Sequence, residues 1–212
     1  MKCTIILWDN DGVLVDTERH FFRASQKILE REGITLSQEQ FTEISLHQGG
    51  SVLSLLKSKG FTDAQIEEKR VERNLLYDEY LTTVDLPVDG IEEVLKELKK
   101  KYRMFIVTSS GRKHFDTMHA RTGLLQYFEG FITSSEFHTT KPSPVPYLAA
   151  MEKFNVKPEQ AVAIEDSPRG VESAKAAGLL CIAIPNPFTR DFDYSKADVV
   201  LESVGELMGF LG

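Results

Sequence analysis

Cysteine is scarce: the 212 residues hold only two, Cys3 and Cys181. Both sit in apolar runs, where they build no disulfide framework and are read as buried, reduced thiols. That usage fits a cytoplasmic compartment. Positive charge is also in deficit, since 25 Lys and Arg face 32 Asp and Glu for a net charge of −7. Such a balance argues against a general nucleic-acid or membrane-surface binder, so neither partner is expected. No apolar run reaches the roughly 18 residues of a membrane-spanning helix. The opening Met1-Lys2-Cys3 leads straight into a strand-like run and has neither the length nor the cleavage site of a signal peptide. Internal repeats and low-complexity linkers are missing as well. What is present is the mix of a soluble globular protein, 42% hydrophobic and 27% charged residues. A chain of this length buries a substantial core without staples and has room for one to two domains.

Short β-branched, apolar runs recur along the chain: 3–9, 104–108, 161–165 and 180–184, with weaker ones at 130–133 and 198–201. Such runs suit strands buried on both faces. Helical patterns lie between them at 91–101, 113–122, 144–154 and 168–177. Strands alternating with helices predict a Rossmann-like parallel sheet with helices on both faces. Helix starts are marked by Asp89, by Ser167 before Pro168, and by the capping boxes Ser37-x-x-Gln40 and Thr62-x-x-Gln65. Residues 17–83 differ, because they contain no strand run and read as helices at 19–32, 38–46, 52–57 and 64–81. The expected organisation is therefore an α/β core of residues 1–16 and 84–212, interrupted after its first strand by a small all-helical module of residues 17–83.

In parallel α/β sheets, function gathers at the carboxyl ends of the strands. Here the first strand ends in Asp9-Asn10-Asp11-Gly12 and the second in Thr108-Ser109-Ser110-Gly111. Lys141-Pro142 follows the third, and the fourth ends in Glu165-Asp166-Ser167. Each piece alone is weak, because Asp, Gly and Ser are ordinary turn and cap residues. Together they place four carboxylates, a hydroxyl-rich turn and one lysine along a single sheet edge.

In this combination the chain strongly resembles the haloacid dehalogenase-like hydrolase superfamily. Asp9-Asn10-Asp11-Gly12-Val13-Leu14-Val15-Asp16-Thr17-Glu18 is similar to its first motif, Thr108 to the second, Lys141-Pro142 to the third, and Glu165-Asp166-Ser167-Pro168-Arg169-Gly170 to the fourth. The resemblance covers the whole length, with the helical module as a cap, and is greatest to the branch of β-phosphoglucomutase and small sugar-phosphate phosphatases. Departures are small: Val13 stands where Thr is common, and Asn10 fills a variable position.

The resemblance implies a Mg²⁺-dependent phosphatase acting on a small phosphorylated metabolite, with a sugar phosphate expected, through an aspartyl-phosphate. Asp9 would be the nucleophile, splitting one hard step into two. Asp11 would be general acid and then general base. Mg²⁺ suits an oxygen-rich site that would otherwise repel itself and the substrate. The implied ligands are the Asp9 side chain, the Asp11 carbonyl and Asp166, with Glu165 either a further ligand or one step removed. Lys141 would balance charge, while Thr108 and the Ser109 N–H would hold phosphoryl oxygens. Ser110 and Arg112 are further candidates for substrate contact. In the cap the candidates are Arg19, His20, Arg23 and the turn from His47 and Gln48 to Ser51. His114, His119 and His138 lack metal-ligand spacing and are expected at the surface. A monomer or weak dimer is expected.

The principal alternative is a phosphomutase of the β-phosphoglucomutase type, which uses the same core. Against it, His20 follows Asp16 one residue too soon for the hinge histidine of such enzymes. The motif-one acid Asp11 disfavours a haloacid dehalogenase. A receiver-like phosphoacceptor is disfavoured by the helical insertion, and a silent binding protein by the four intact motifs.

Overall fold

The computed structural model describes residues 3–211 and divides the chain into two compact units, Met1–Asp16 with Leu86–Gly212, and Thr17–Asp85.

The first unit is built on a six-stranded parallel sheet: β1 (Ile5–Trp8), β2 (Arg103–Val107), β3 (Gly130–Ile132), β4 (Ala161–Glu165), β5 (Leu180–Ala183) and β6 (Val199–Val200). Their order is β3-β2-β1-β4-β5-β6, the doubly wound arrangement whose strand order reverses beside β1. All six expected strands are present, several one or two residues shorter than their apolar runs. Successive side chains point to opposite faces. Ile5 and Leu7 therefore join Phe105, Val107 and Ala163 in one core layer. Ile6 and Trp8 join Met104, Ile106 and Ile164 in the other. A sheet covered on both faces explains why its strands read as unbroken apolar runs.

The helical unit follows β1 directly. It holds α1 (Glu18–Arg31), α2 (Gln38–Phe41), a 3-10 segment (Val52–Lys59) and α3 (Asp63–Thr83). Both expected capping boxes are formed, at Ser37 and Thr62. The helix expected over 38–46 is different: α2 ends at Phe41 and continues as a π-helix, Thr42–His47. The stretch at 52–57 likewise winds as 3-10, and a left-handed Gly60 ends it. Among the described residues, no helix is long and apolar enough to cross a membrane.

Back in the first unit, α4 (Ile91–Leu98), α5 (Arg112–His119), α6 (Val145–Phe154), α7 (Pro168–Ala176) and α8 (Leu207–Leu211) complete the two helical layers. The N-cap of α4 is Gly90, not the expected Asp89, and it makes no side-chain cap bond. Ser167 caps α7 as expected, its hydroxyl accepting from the Gly170 N–H at 3.2 Å.

Register aligns the functional ends. Trp8 pairs with Ile106 of β2 and Ile164 of β4, so β1, β2 and β4 finish level with one another. Asp9 and Glu165 thus emerge side by side, with Thr108 one residue further on after β2, at the place where the strand order reverses.

Candidate active site

Lys141 is the hub of the sheet-end cluster. Its ammonium lies 2.6 Å from Asp9 Oδ1 and 2.7 Å from Glu165 Oε1. It also donates to the Val107 carbonyl at 3.1 Å. All three side chains are buried, Glu165 completely. Burial works against the lysine's charge, but Asp9 and Glu165 outweigh it and hold Lys141 above its ordinary value. Asp9 is balanced the other way. Burial, helped by Glu165 and Asp11, pushes its carboxyl up to about 7 against the pull of Lys141. The loop carrying Lys141 is fastened by α7: Arg169 donates to the Lys141 carbonyl, and Ser173 Oγ donates to the Ser143 carbonyl at 2.6 Å.

Glu165 is fixed further by the Tyr147 hydroxyl, which donates to Oε1 at 2.5 Å. Its Oε2 is buried with no hydrogen-bond partner. A Cβ on Gly170 would stand 1.8 Å from that oxygen, so only glycine leaves space for the carboxylate. Asp166 is held from β5 and beyond. Asn186 Nδ2 donates to its Oδ2 at 2.7 Å, while the hydroxyls of Thr189 and Tyr194 donate to its carbonyl. Gly12 takes φ +82°, and a Cβ there would come within 2.2 Å of Asp166 Oδ2.

Asp9, Glu165 and Asp166 each offer a carboxylate oxygen, and these oxygens lie within 4.8 Å of one another. Three buried acids against one lysine, one of them with an unpartnered oxygen, form an all-oxygen donor set. That chemistry fits a hard divalent cation.

Asp11 stands at the rim of this cluster. Its Oδ2 accepts from Ser110 Oγ at 2.8 Å and from Thr108 Oγ1 at 3.1 Å. Thr108 Oγ1 in turn accepts from the Ser110 N–H at 2.9 Å. The turn after β2 is thereby folded back on Asp11.

The remaining candidates lie apart from these contacts. Ser109 is exposed. The Arg112 guanidinium is tied to Asp116 one turn along α5, at 2.8 Å. In the helical unit His47 and Gln48 are exposed and both bind Glu43, at 3.1 and 2.7 Å. His20 is buried there, its ring centroid 6.4 Å from that of Tyr80. Arg19 and Arg23 are exposed.

One expectation is overturned. His119 is not at the surface; it is 6% exposed, with Nε2 2.7 Å from Asn10 Oδ1 and Nδ1 2.9 Å from Thr122 Oγ1. The available signal was the spacing of Phe115, Met118 and His119, which puts all three on the apolar face of one helix. His114 is half-buried and His138 exposed. Sequence reasoning also passed over Tyr147, Asn186, Thr189 and Tyr194. Of these, Asn186 was within reach, because it follows the carboxyl end of β5 as the acids follow β1 and β4.

Comparison with known proteins agrees with this architecture. Validoxylamine A 7'-phosphate phosphatase of Streptomyces hygroscopicus subsp. limoneus is 27% identical over 209 residues, covering 96% of this chain and 95% of that protein. A phosphorylated carbohydrates phosphatase of Thermotoga maritima is 30% identical over 179 residues, covering 82% and 81%. A crystal structure of CbbY from Rhodobacter sphaeroides in complex with xylulose-(1,5)-bisphosphate superposes with a TM-score of 0.81 at 25% identity, covering 97% of this chain and 96% of that one. Residues 6–184, from within β1 to just past β5, match the family described as haloacid dehalogenase-like hydrolase. By that match, and by a helical cap inserted after β1 of a six-stranded parallel core, the chain belongs to the haloacid dehalogenase-like hydrolase family.

Proposed function

We propose that this phosphatase hydrolyses the phosphoric monoester of a small carbohydrate, using Asp9 as nucleophile and Mg²⁺ as cofactor. The observation that carries the reading is the buried cluster of Asp9, Lys141, Glu165 and Asp166 at the strand ends. The carbohydrate part rests on the substrates named for the relatives above.

Asp9 is the acid that Lys141 steadies, so its carboxylate is oriented before substrate arrives. It attacks phosphorus, and the bond from phosphorus to the ester oxygen breaks. Asp11 gives its proton to that departing oxygen. The phosphoryl group is now on Asp9, and Asp11, as carboxylate, takes a proton from a water molecule. That water attacks phosphorus, the phosphorus–Asp9 bond breaks, and inorganic phosphate leaves with Asp9 restored. Lys141 offsets charge on Asp9 and the phosphoryl oxygens, the Ser109 N–H is assigned to those oxygens as well, and Thr108 would reach them by turning its hydroxyl from Asp11. Mg²⁺ would be held by Asp9, Asp166, the Asp11 carbonyl and Glu165. When bound, it neutralises the acids and the phosphate together.

The test is phosphate release with Mg²⁺ over sugar phosphates, nucleotides and other small esters, and again after EDTA. Release from sugar phosphates that stops in EDTA and returns with Mg²⁺ supports the reading. Full activity in EDTA overturns the metal assignment. Conversion of a sugar 1-phosphate to its 6-phosphate without phosphate release moves the assignment to a mutase.

A further inference from the structure

Asn10 lies between the two acids of the first motif and is completely buried. Its Nδ2 donates to Asp11 Oδ2 at 3.3 Å and faces Met118 Sδ at the same distance. Its Oδ1 lies 2.7 Å from His119 Nε2. An amide oxygen only accepts, so His119 must carry its proton on Nε2. Nδ1 is then the acceptor and faces Thr122 Oγ1 at 2.9 Å. That hydroxyl itself accepts from the Leu124 N–H at 3.3 Å, so its hydrogen is available to the imidazole. Turning the Asn10 amide over would set its oxygen against the Asp11 carboxylate and its NH₂ against the imidazole N–H. The series therefore runs in one direction: Thr122 to His119, His119 to Asn10, Asn10 to Asp11.

We propose that His119, acting through Asn10, is a positioning residue for Asp11 that fixes the orientation in which its carboxyl delivers a proton to the leaving oxygen. The proposal rests on the phosphatase reading above. Three donors converge on Asp11 Oδ2: Ser110 Oγ, Thr108 Oγ1 and Asn10 Nδ2. With that oxygen committed to accepting, the acidic proton belongs on Oδ1. Ser110 and Thr108 come from the turn after β2, whereas Asn10 comes from Asp11's own loop. Asn10, held through His119 on α5, adds to those two hydroxyls a third donor from a different direction. α5 provides a rigid anchor because Phe115 and Met118 bury its inner face, and the Phe115 ring lies 4.6 Å from that of His119.

A general acid matters in proportion to how badly the leaving group needs a proton. The experiment measures kcat/KM of the full chain with Mg²⁺ on an alkyl phosphate and on p-nitrophenyl phosphate, whose phenolate leaves without protonation. His119→Leu is expected to lower the alkyl value about 10–100-fold and the aryl value by less than about threefold. His119→Gln, whose amide N–H still reaches an acceptor, is expected to recover most of the alkyl activity. Equal losses on both esters in folded His119→Leu, or unchanged alkyl hydrolysis, would overturn the proposal. Where His119→Leu does not fold, Thr122→Val carries the test: a greater loss on the alkyl ester supports the proposal, and equal effects overturn it. If wild type releases phosphate from the esters and Asp9→Asn does not, the phosphatase reading stands whatever the His119 series gives. If Asp9→Asn matches wild type, that reading fails, and this inference with it.

Discussion

At the residue scale, Lys141 contacts two buried acids, Asp9 and Glu165. Breaking a buried ion pair from one side leaves the partner charged in a poor solvent, which costs about 3–5 kcal/mol. Lys141→Met is therefore expected to lower stability by about that much in the absence of divalent ions, read from urea unfolding. A loss below about 1 kcal/mol would contradict the charge balance described for the cluster. His119 makes a prediction of opposite kind. Burial pulls its imidazole from 6.5 down to about 4, against the pull of Asp11 and Asp116 in the other direction. The unfolded chain then binds the proton first, so stability is complete above pH 6.5 and is lost as pH falls toward about 4. The loss attributable to this group is about 3 kcal/mol, and His119→Gln should flatten that part of the pH–stability curve. An unchanged slope in the variant would show that His119 does not titrate as described. The burial of His119 was signalled in sequence only by its spacing from Phe115 and Met118 on one helix face. Its partner was not signalled at all, because a hydrogen bond across 109 positions leaves no local pattern.

At the element scale, the strands and most helices were legible because each has a local cause. Buried β-branched runs announce β1, β2, β4 and β5, and the capping boxes announce α2 and α3. The π-helix at Thr42–His47 was not legible, since widening a helical turn is a response to packing and not to composition. Clustering of the acids was legible for a topological reason: parallel strands all end on one side of the sheet. The way α7 holds the site was not. Its glycine at Gly170 reads as an indifferent helix residue, yet the Glu165 carboxylate occupies the place of its missing Cβ. Glu165 cannot move aside easily, because Lys141 and Tyr147 hold it. Gly170→Ala should therefore lower stability by about 1–3 kcal/mol through overpacking and reduce turnover together, as read from urea unfolding and phosphate release. Wild-type values for both would contradict this account of α7.

At the scale of the whole molecule, the cap interrupts the core between Asp16 and Leu86, so β1 and β2 pair across a long insertion. The motif acids of β1 and β4 meet only once β1 has also paired with β4, and a metal held between them binds the folded chain alone. Mg²⁺ at a hundredfold over its dissociation constant should raise the melting temperature by about 5–10 °C. Asp166→Asn, which withdraws one of the three clustered carboxylates, should lose most of that rise. An unshifted wild type would contradict the cation assignment independently of any substrate.

The central claim is that Asp9 carries the phosphoryl group. The direct measurement is phosphate release by wild type and Asp9→Asn on the best sugar phosphate, with circular dichroism confirming the fold of both and mass spectrometry of the acid-quenched enzymes. The account predicts turnover and a phosphorylated Asp9 peptide in wild type, and neither in a folded Asp9→Asn. Turnover in Asp9→Asn, or a phosphoryl group trapped on another residue, would contradict it.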